Sequence, residues 1–198
     1  MLTPQQLDHQ YNARAAIPDH PEIFARWRAD SCAARNELRC EADYYFGPSP
    51  AETLDLYPAA VPNAPLLVFI HGGYWRSLDK QDFSFLAPAF VSAGVAVAMP
   101  NYGLAPATPI AEIVRQTLRA MAWLYRHVPE LGIDRRRIVV AGHSAGAHLA
   151  AMMLAADWPL MAGDLPRDLL CGAVCISGIY DLQALVRAPF LEEDLRLD

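Results

Sequence analysis

The segment that decides the fold is residues 138–154, which read IVVAGHSAGAHLAAMML. It begins with an apolar, β-branched run typical of a buried strand, and it ends with residues that favour a helix. Between the two lies Gly142-His143-Ser144-Ala145-Gly146, a G-x-S-x-G pattern. A turn this tight strains the serine backbone and projects its hydroxyl above the sheet, while the two glycines let strand and helix approach each other. The segment therefore predicts a nucleophile at Ser144, with an ordinary glycine-rich turn as the alternative.

A second glycine motif stands upstream, directly after the apolar run 66–70, and reads His71-Gly72-Gly73-Tyr74-Trp75. Glycines at the carboxyl end of a strand let backbone N–H groups turn toward a neighbouring site, and a helix N-terminus offers further donors. We therefore expect the amides of Gly72, Gly73 and Ala145 to form an oxyanion hole. Both motifs follow strand ends, which is where open α/β sheets bind their ligands.

The periodicity of the remaining chain predicts a doubly wound, mostly parallel α/β sheet. The clearest helix spans 109–128, with Thr108 as N-cap, Pro109 at the first helical position and one apolar stripe. The later strand-like segments are apolar throughout, which indicates burial on both faces of a parallel sheet. Strands are predicted at 41–46, 52–57, 66–70, 95–99, 138–141 and 170–177.

A helical arm is predicted at the start of the chain. Thr3 and Gln6 can form a capping box around Pro4, whereas Pro18 and Pro21 interrupt the helical pattern. We therefore divide the chain into an N-terminal arm, residues 1–40, and an α/β domain, residues 41–198.

Composition excludes several classes of function. The chain has 198 residues, of which 54% are hydrophobic, and a formal net charge of −6. The one basic cluster, Arg135-Arg136-Arg137, is interpreted as a solvated loop, so we expect no nucleic-acid partner. The first residues lack a secretory signal and the apolar runs are too short to span a membrane, so we expect a cytoplasmic protein. The oligomeric state stays open, with a homodimer as one option.

The four cysteines are interpreted as structural thiols. Their spacing fits neither a disulfide scaffold nor a zinc site, and we expect no metal and no cofactor. Cys171 and Cys175 stand four positions apart in a predicted strand, so both should lie on one face of that strand as small core residues.

With these motifs the chain resembles the α/β-hydrolase superfamily, and within it the serine-dependent arylformamidase (kynurenine formamidase) branch close to the hormone-sensitive-lipase-like esterases. The resemblance implies metal-free hydrolysis of an N-formyl aryl amine such as N-formylkynurenine, or of short-chain or aryl esters, through an acyl-enzyme on Ser144. It covers nearly the whole chain. The segments that carry it are Tyr11-Asn12-Ala13-Arg14, Pro18-Asp19, residues 71–75, Asn101-Tyr102, residues 142–149, residues 177–182 and residues 195–198.

The base that should activate the serine is missing from the sequence after Ser144. The order in this superfamily is nucleophile, acid, histidine, and the one histidine that follows is His148, which should pack against its own helix. Asp181 is interpreted as a helix cap, although it follows a strand end. Moreover, the run 169–176 has the composition of a central strand. We therefore interpret the sequence as a hydrolase cut before its last two strands.

Aromatic residues after the strand ends are candidates for the substrate pocket. Tyr74, Trp75 and Tyr102 could line an acyl or aryl pocket, and packing beneath the arm is the alternative. Three functions stay open at this point: an arylformamidase, a carboxylesterase with the same apparatus, and an inactive fragment that lacks the acid and the histidine.

Overall fold

The structure is a computed structural model that describes residues 2–195, and it contains one six-stranded sheet. The strands are β1 (Glu41–Tyr45), β2 (Thr53–Tyr57), β3 (Ala64–Ile70), β4 (Ala96–Pro100), β5 (Ile133–His143) and β6 (Gly172–Ile176). Their order in the sheet is β1-β2-β4-β3-β5-β6. The β1–β2 and β2–β4 pairs are antiparallel, and the β4–β3, β3–β5 and β5–β6 pairs are parallel. The predicted mostly parallel α/β sheet is thereby confirmed.

Helices cover both faces of the sheet. Successive residues of β3 enter two different apolar clusters, with Val68 in one and Phe69 in the other, because side chains alternate along a strand. The helices are α1 (Pro4–Tyr11), α2 (Ala13–Ala16), α3 (His20–Glu37), α4 (Ala87–Ser92), α5 (Ile110–His127), α6 (Ala145–Ala155), α7 (Trp158–Met161), α8 (Leu182–Val186) and α9 (Pro189–Leu195), with 3-10 turns at Lys80–Leu86 and Val128–Leu131. Within residues 2–195, none of these helices combines the length and apolar character needed to cross a bilayer.

Several helix boundaries follow from local chemistry. The capping box of Thr3 and Gln6 is present at the start of α1, as predicted. Pro21 does not interrupt a helix; it lies in the first turn of α3, where its missing N–H costs nothing. Pro109 is the N-cap of α5, one residue later than the predicted Thr108. The shift at α5 is one residue, which is within the usual spread of helix ends.

A buried charge cluster joins the arm to the sheet. The Lys80 ammonium is 2% exposed and contacts Asp55, which is 1% exposed in the middle of β2. Arg35 of α3 binds the other carboxylate oxygen of Asp55 at 2.5 Å, and Asp43 binds Lys80 at 2.6 Å. Since a buried charge is stable only when it is paired, the buried Lys80 and Asp55 depend on each other and on these partners.

Strand β6 differs most from its prediction. It lies at the edge of the sheet, and Val174 and Ile176 are 51% and 48% exposed. Cys171 and Cys175 are exposed too, so the prediction of buried cysteines was wrong. The physical reason is that no described element pairs with the outer side of β6. An adjoining, mostly apolar groove of about 380 Å³ lies between α4 and strands β3, β5 and β6.

The three consecutive arginines also differ from their prediction. Residues 135–137 are exposed as expected, but they belong to the first half of β5 and not to a loop. Arg136 and Arg137 both contact Asp134, at 3.3 and 3.2 Å.

Candidate active site

Ser144 stands at a sharp junction between a strand and a helix. β5 ends at His143, α6 begins at Ala145, and Ser144 between them has φ 57° and ψ −119°. A residue with a side chain is strained by about 1–3 kcal/mol in such a conformation, which persists only where neighbouring contacts enforce it. One of these contacts is the hydrogen bond from the Ser144 N–H to the carbonyl oxygen of Ile176, at 2.8 Å. The geometry is that of a nucleophile elbow.

The two glycines of the motif allow this junction because the backbone segments nearly touch. A methyl group added to Gly146 would overlap the carbonyl oxygen of Ile70, and one added to Gly142 would overlap the backbone of Gly146. Strand β5 and helix α6 can therefore approach β3 only with hydrogen at both positions.

The glycine pair reaches the serine because the two strands end side by side. Ile70 of β3 is directly opposite Gly142 of β5 in the parallel register. As a result Gly72 lies against the elbow, where a Cβ built on it would be 3.2 Å from the Ser144 Cβ. Ala145 is buried in the first turn of α6. The structure thus brings Gly72 next to Ser144 and places Ala145 at the N-terminus of α6.

The loop after the glycine pair is strained. Gly73 has φ +106°, and the next two residues, Tyr74 and Trp75, have φ +53° and +55° although both carry side chains. The turn is closed by the Arg76 N–H, which donates to the Gly73 carbonyl oxygen at 3.1 Å, and Trp75 O accepts from Ala105 N–H at 2.8 Å. Two consecutive left-handed residues need such support from outside the turn.

His71 is buried beneath this loop and is neutral. Its ring stacks on Tyr102 at a centroid distance of 4.3 Å and faces Phe83 on the other side at 6.2 Å. Burial lowers the pKa of His71 to about 4, because the protonated ring would lose its hydration. The Nδ1 atom lies 2.9 Å from the Gly72 carbonyl oxygen. His71 therefore packs under the loop and is not placed to act as a base at neutral pH.

The three predicted substrate-binding aromatics have different environments. Trp75 is fully buried, and Tyr102 is buried with its hydroxyl donating to His71 O at 2.9 Å, so the packing interpretation is favoured for both. Tyr74 is half-buried, packs edge-on against Phe190 of α9 and donates its hydroxyl to the Tyr11 carbonyl oxygen. Of the three, Tyr74 alone has a partly exposed side chain, so its part in substrate binding stays a prediction.

The histidine after the serine packs against the core. His148 is 8% exposed and meets the Trp75 ring edge-to-face at 5.2 Å. Burial lowers the pKa values of His148 and His143. In residues 2–195 no partner is found for His148 Nδ1 or His71 Nε2, so neither ring is oriented by a carboxylate there. Asp181 accepts the Ala184 N–H as the N-cap of α8, as predicted.

Two contacts around the site were not predicted from the sequence. Arg14 of α2 donates to the Ser77 hydroxyl at 2.6 Å, and Arg76 donates to the Phe190 carbonyl oxygen at 3.0 Å. Arg76 also pairs with Asp194 of α9. No periodicity connects residues 63 or 114 positions apart, so the loop's partners could not be found from spacing.

The strained serine, the elbow glycines and the adjoining glycine pair define the class of the protein as an α/β hydrolase of the serine type. A family model named BD-FAE matches residues 54–158, which include both glycine motifs. The chain belongs to this family.

Individual relatives agree with this classification. The kynurenine formamidase of Danio rerio is 35% identical over 169 residues, which cover 83% of this chain and 54% of that protein. Esterase LipC of Mycobacterium tuberculosis is 31% identical over 141 residues, covering 68% of this chain and 35% of LipC. A solved structure from Silicibacter sp. tm1040, described provisionally as a thioesterase, superposes with a TM-score of 0.84 at 35% identity, covering 98% of this chain and 71% of that one. The chain thus spans about half the length of the formamidase and about a third of LipC.

Proposed function

We propose that the protein is a serine hydrolase that cleaves the N-formyl group from an aryl amine such as N-formylkynurenine. The observation that carries this proposal is the strained Ser144 next to Gly72, at the ends of two adjacent parallel strands. The similarity to a kynurenine formamidase supports the choice of substrate class.

In the proposed reaction Ser144 Oγ attacks the formyl carbon and loses its proton to a base. The carbonyl oxygen becomes an oxyanion, which the N–H groups of Gly72, Gly73 and Ala145 stabilise. The C–N bond then breaks as the leaving amine takes the proton, and water releases formate from the formyl-serine. No described histidine near the serine is suitably placed to act as the base. The base, and the acid that orients it, are therefore predicted to lie outside residues 2–195.

A carboxylesterase is the second candidate, because LipC is a similar protein and the same elbow and donors serve an ester. An ester differs only in its leaving group, which is an alcohol or phenol. The third hypothesis is a catalytically inactive fragment that lacks the acid and the histidine. The first two candidates share a small-molecule acyl substrate. Four further statements stay predictions: that no nucleic acid binds, that the protein is cytoplasmic, that it forms a homodimer, and that the chain divides at residue 40.

The test compares the natural full-length protein with its Ser144→Ala variant on N-formylkynurenine and p-nitrophenyl acetate. Loss of the serine should lower kcat about 10³-fold or more, because the acyl-enzyme can no longer form. The ratio of kcat/KM on the two substrates separates formamidase from esterase. Ser92→Ala is the matched control, since Ser92 is exposed and its hydroxyl donates to Ala89 O within α4. Hydrolysis that survives in Ser144→Ala would contradict the proposal.

A further inference from the structure

A chain of hydrogen bonds connects the N-terminal arm to the glycine pair. Arg14 Nη2 donates to Ser77 Oγ at 2.6 Å, and Ser77 Oγ donates to the Gly73 carbonyl oxygen at 2.9 Å. The direction of each bond is unambiguous, because a guanidinium can only donate and a carbonyl can only accept. The Ser77 hydroxyl therefore accepts a bond from the charged Arg14 and donates one to the Gly73 carbonyl oxygen, so it connects the two groups.

This chain of hydrogen bonds acts on the strained part of the loop. Gly73 O accepts a second bond, from the Arg76 N–H at 3.1 Å, so both of its lone pairs are engaged. Because a peptide is planar, fixing Gly73 O also fixes the N–H of Tyr74 on the opposite side. Bonds that depend on a charged donor are stronger than neutral ones, and consecutive hydrogen bonds polarise each other.

The arm holds the same loop at a second point. The Tyr74 hydroxyl donates to the carbonyl oxygen of Tyr11, three residues before Arg14. Arg14 is itself held over the ring of Phe24 at 5.5 Å. The arm thus supplies support that the left-handed Tyr74 and Trp75 need and that their own turn does not provide.

We propose that Arg14 and Ser77 are positioning residues, through which the arm holds the peptide between Gly73 and Tyr74. By holding this peptide they limit movement of the loop that carries the amide donors of the glycine pair beside Ser144. This inference rests on the proposed function, and it adds that the N-terminal arm helps to position the loop beside Ser144. Neither residue touches the substrate; each acts through Gly73.

The experiment uses the natural full-length protein with Ser77→Ala, Arg14→Gln, Arg14→Lys and the double variant Arg14→Gln/Ser77→Ala. Ser77→Ala should lower kcat about 10-fold while KM changes less than about threefold, since loss of a whole oxyanion donor costs about 10²–10³-fold. Arg14→Gln, which removes the positive charge, should lower kcat to a similar degree, and Arg14→Lys, which keeps the charge, should restore part of it. The double variant should be no slower than Ser77→Ala alone, because both changes break one chain.

The control is Ser92→Ala, which removes another hydroxyl bound to a backbone carbonyl, at 3.0 Å, at the end of α4 and outside the loop. It should keep the kcat of the unaltered protein. A kcat for Ser77→Ala within about twofold of this control, or losses that multiply in the double variant, would overturn the inference.

A second measurement separates this inference from the proposed function. Hydrogen–deuterium exchange of the segment 72–78 reports the Arg76 N–H that is bonded to Gly73 O, with or without catalysis. Ser77→Ala should speed exchange there about 10-fold and leave the α5 amides unchanged. If the full-length protein hydrolyses neither substrate, the proposed function fails, and unchanged exchange in Ser77→Ala would then independently refute the inference.

Discussion

Gly72 lies against Ser144 so closely that a Cβ on Gly72 would be 3.2 Å from the serine Cβ and 2.6 Å from the His143 carbonyl oxygen. The second distance is shorter than real Cβ atoms adopt, and the obstacle is backbone. The elbow and the glycine pair therefore form one close-packed unit, and a change on either side must displace the other.

This contact predicts the effect of Gly72→Ala. The added methyl group should push the glycine pair away from the elbow and lower kcat/KM about 100-fold, comparable with the loss of one oxyanion donor. The measurement is steady-state kinetics on N-formylkynurenine. Gly163→Ala is the matched control, because nothing lies within 4 Å of a Cβ at that position. Equal kinetics for the two variants would contradict the close contact.

Stability should depend on pH through His71. Burial lowers the pKa of His71 to about 4 from 6.5. Between these two values the unfolded chain binds a proton that the folded chain does not, so stability falls as the pH drops from 6.5 to 4. The expected loss is up to about 3 kcal/mol. His143 and His148, whose pKa values burial also lowers, add to it with the same sign.

Urea unfolding at several pH values measures this dependence. His71→Phe keeps a ring between Tyr102 and Phe83 but cannot titrate, so its stability should vary less between pH 6.5 and 4. His9→Gln, an exposed position in α1, is the control. If the free energy of unfolding depended on pH more steeply in His71→Phe than in the control, His71 would not be the source of the pH dependence.

The buried ion cluster predicts a large effect for Lys80→Met. Asp55 would keep Arg35 but lose its nearest buried cation, and breaking a buried pair costs about 3–5 kcal/mol. Chemical denaturation of the two proteins measures the difference. Arg115→Met serves as the matched control, since Arg115 is 64% exposed and its pair with Glu112 should contribute about 0–1 kcal/mol. Similar losses for both variants would show that Lys80 is not buried with its partners.

The exposed β6 edge predicts self-association of the 198-residue chain. Unpaired backbone groups next to apolar side chains favour pairing with another chain, and a lysine at an edge opposes it. Val174→Lys should therefore reduce the aggregated fraction seen in size-exclusion chromatography with light scattering. Val61→Lys, at an exposed valine outside the strands, should change little. If the two variants aggregate equally, the edge is not the contact.

The sequence was most informative where the chemistry is local. Gly142 and Gly146 predicted the elbow because a strand-to-helix turn of that length requires them, and Thr3 and Asp181 predicted caps because their partners are three residues away. The glycine pair was found because it follows the apolar run 66–70 closely, just as the G-x-S-x-G pattern follows the apolar run 138–141.

Long-range contacts could not be predicted in this way. A lysine is seldom buried unless it is paired, and only the folded chain brings Lys80 to Asp55, 25 positions away. The link from Arg14 to Ser77 spans 63 positions and has no periodic signal. The composition of β6 predicts a buried central strand. Its actual exposure depends on whether another element of the structure lies beside it.

The ion pair between Arg35 and Asp55 has a practical consequence for protein engineering. The arm, residues 1–40, cannot be replaced on its own by the arm of a homologous protein. An arm without an arginine at position 35 would leave the Asp55 carboxylate in β2 without one of its counter-ions. Chimaeras between homologous enzymes should therefore carry the first helices together with the second strand.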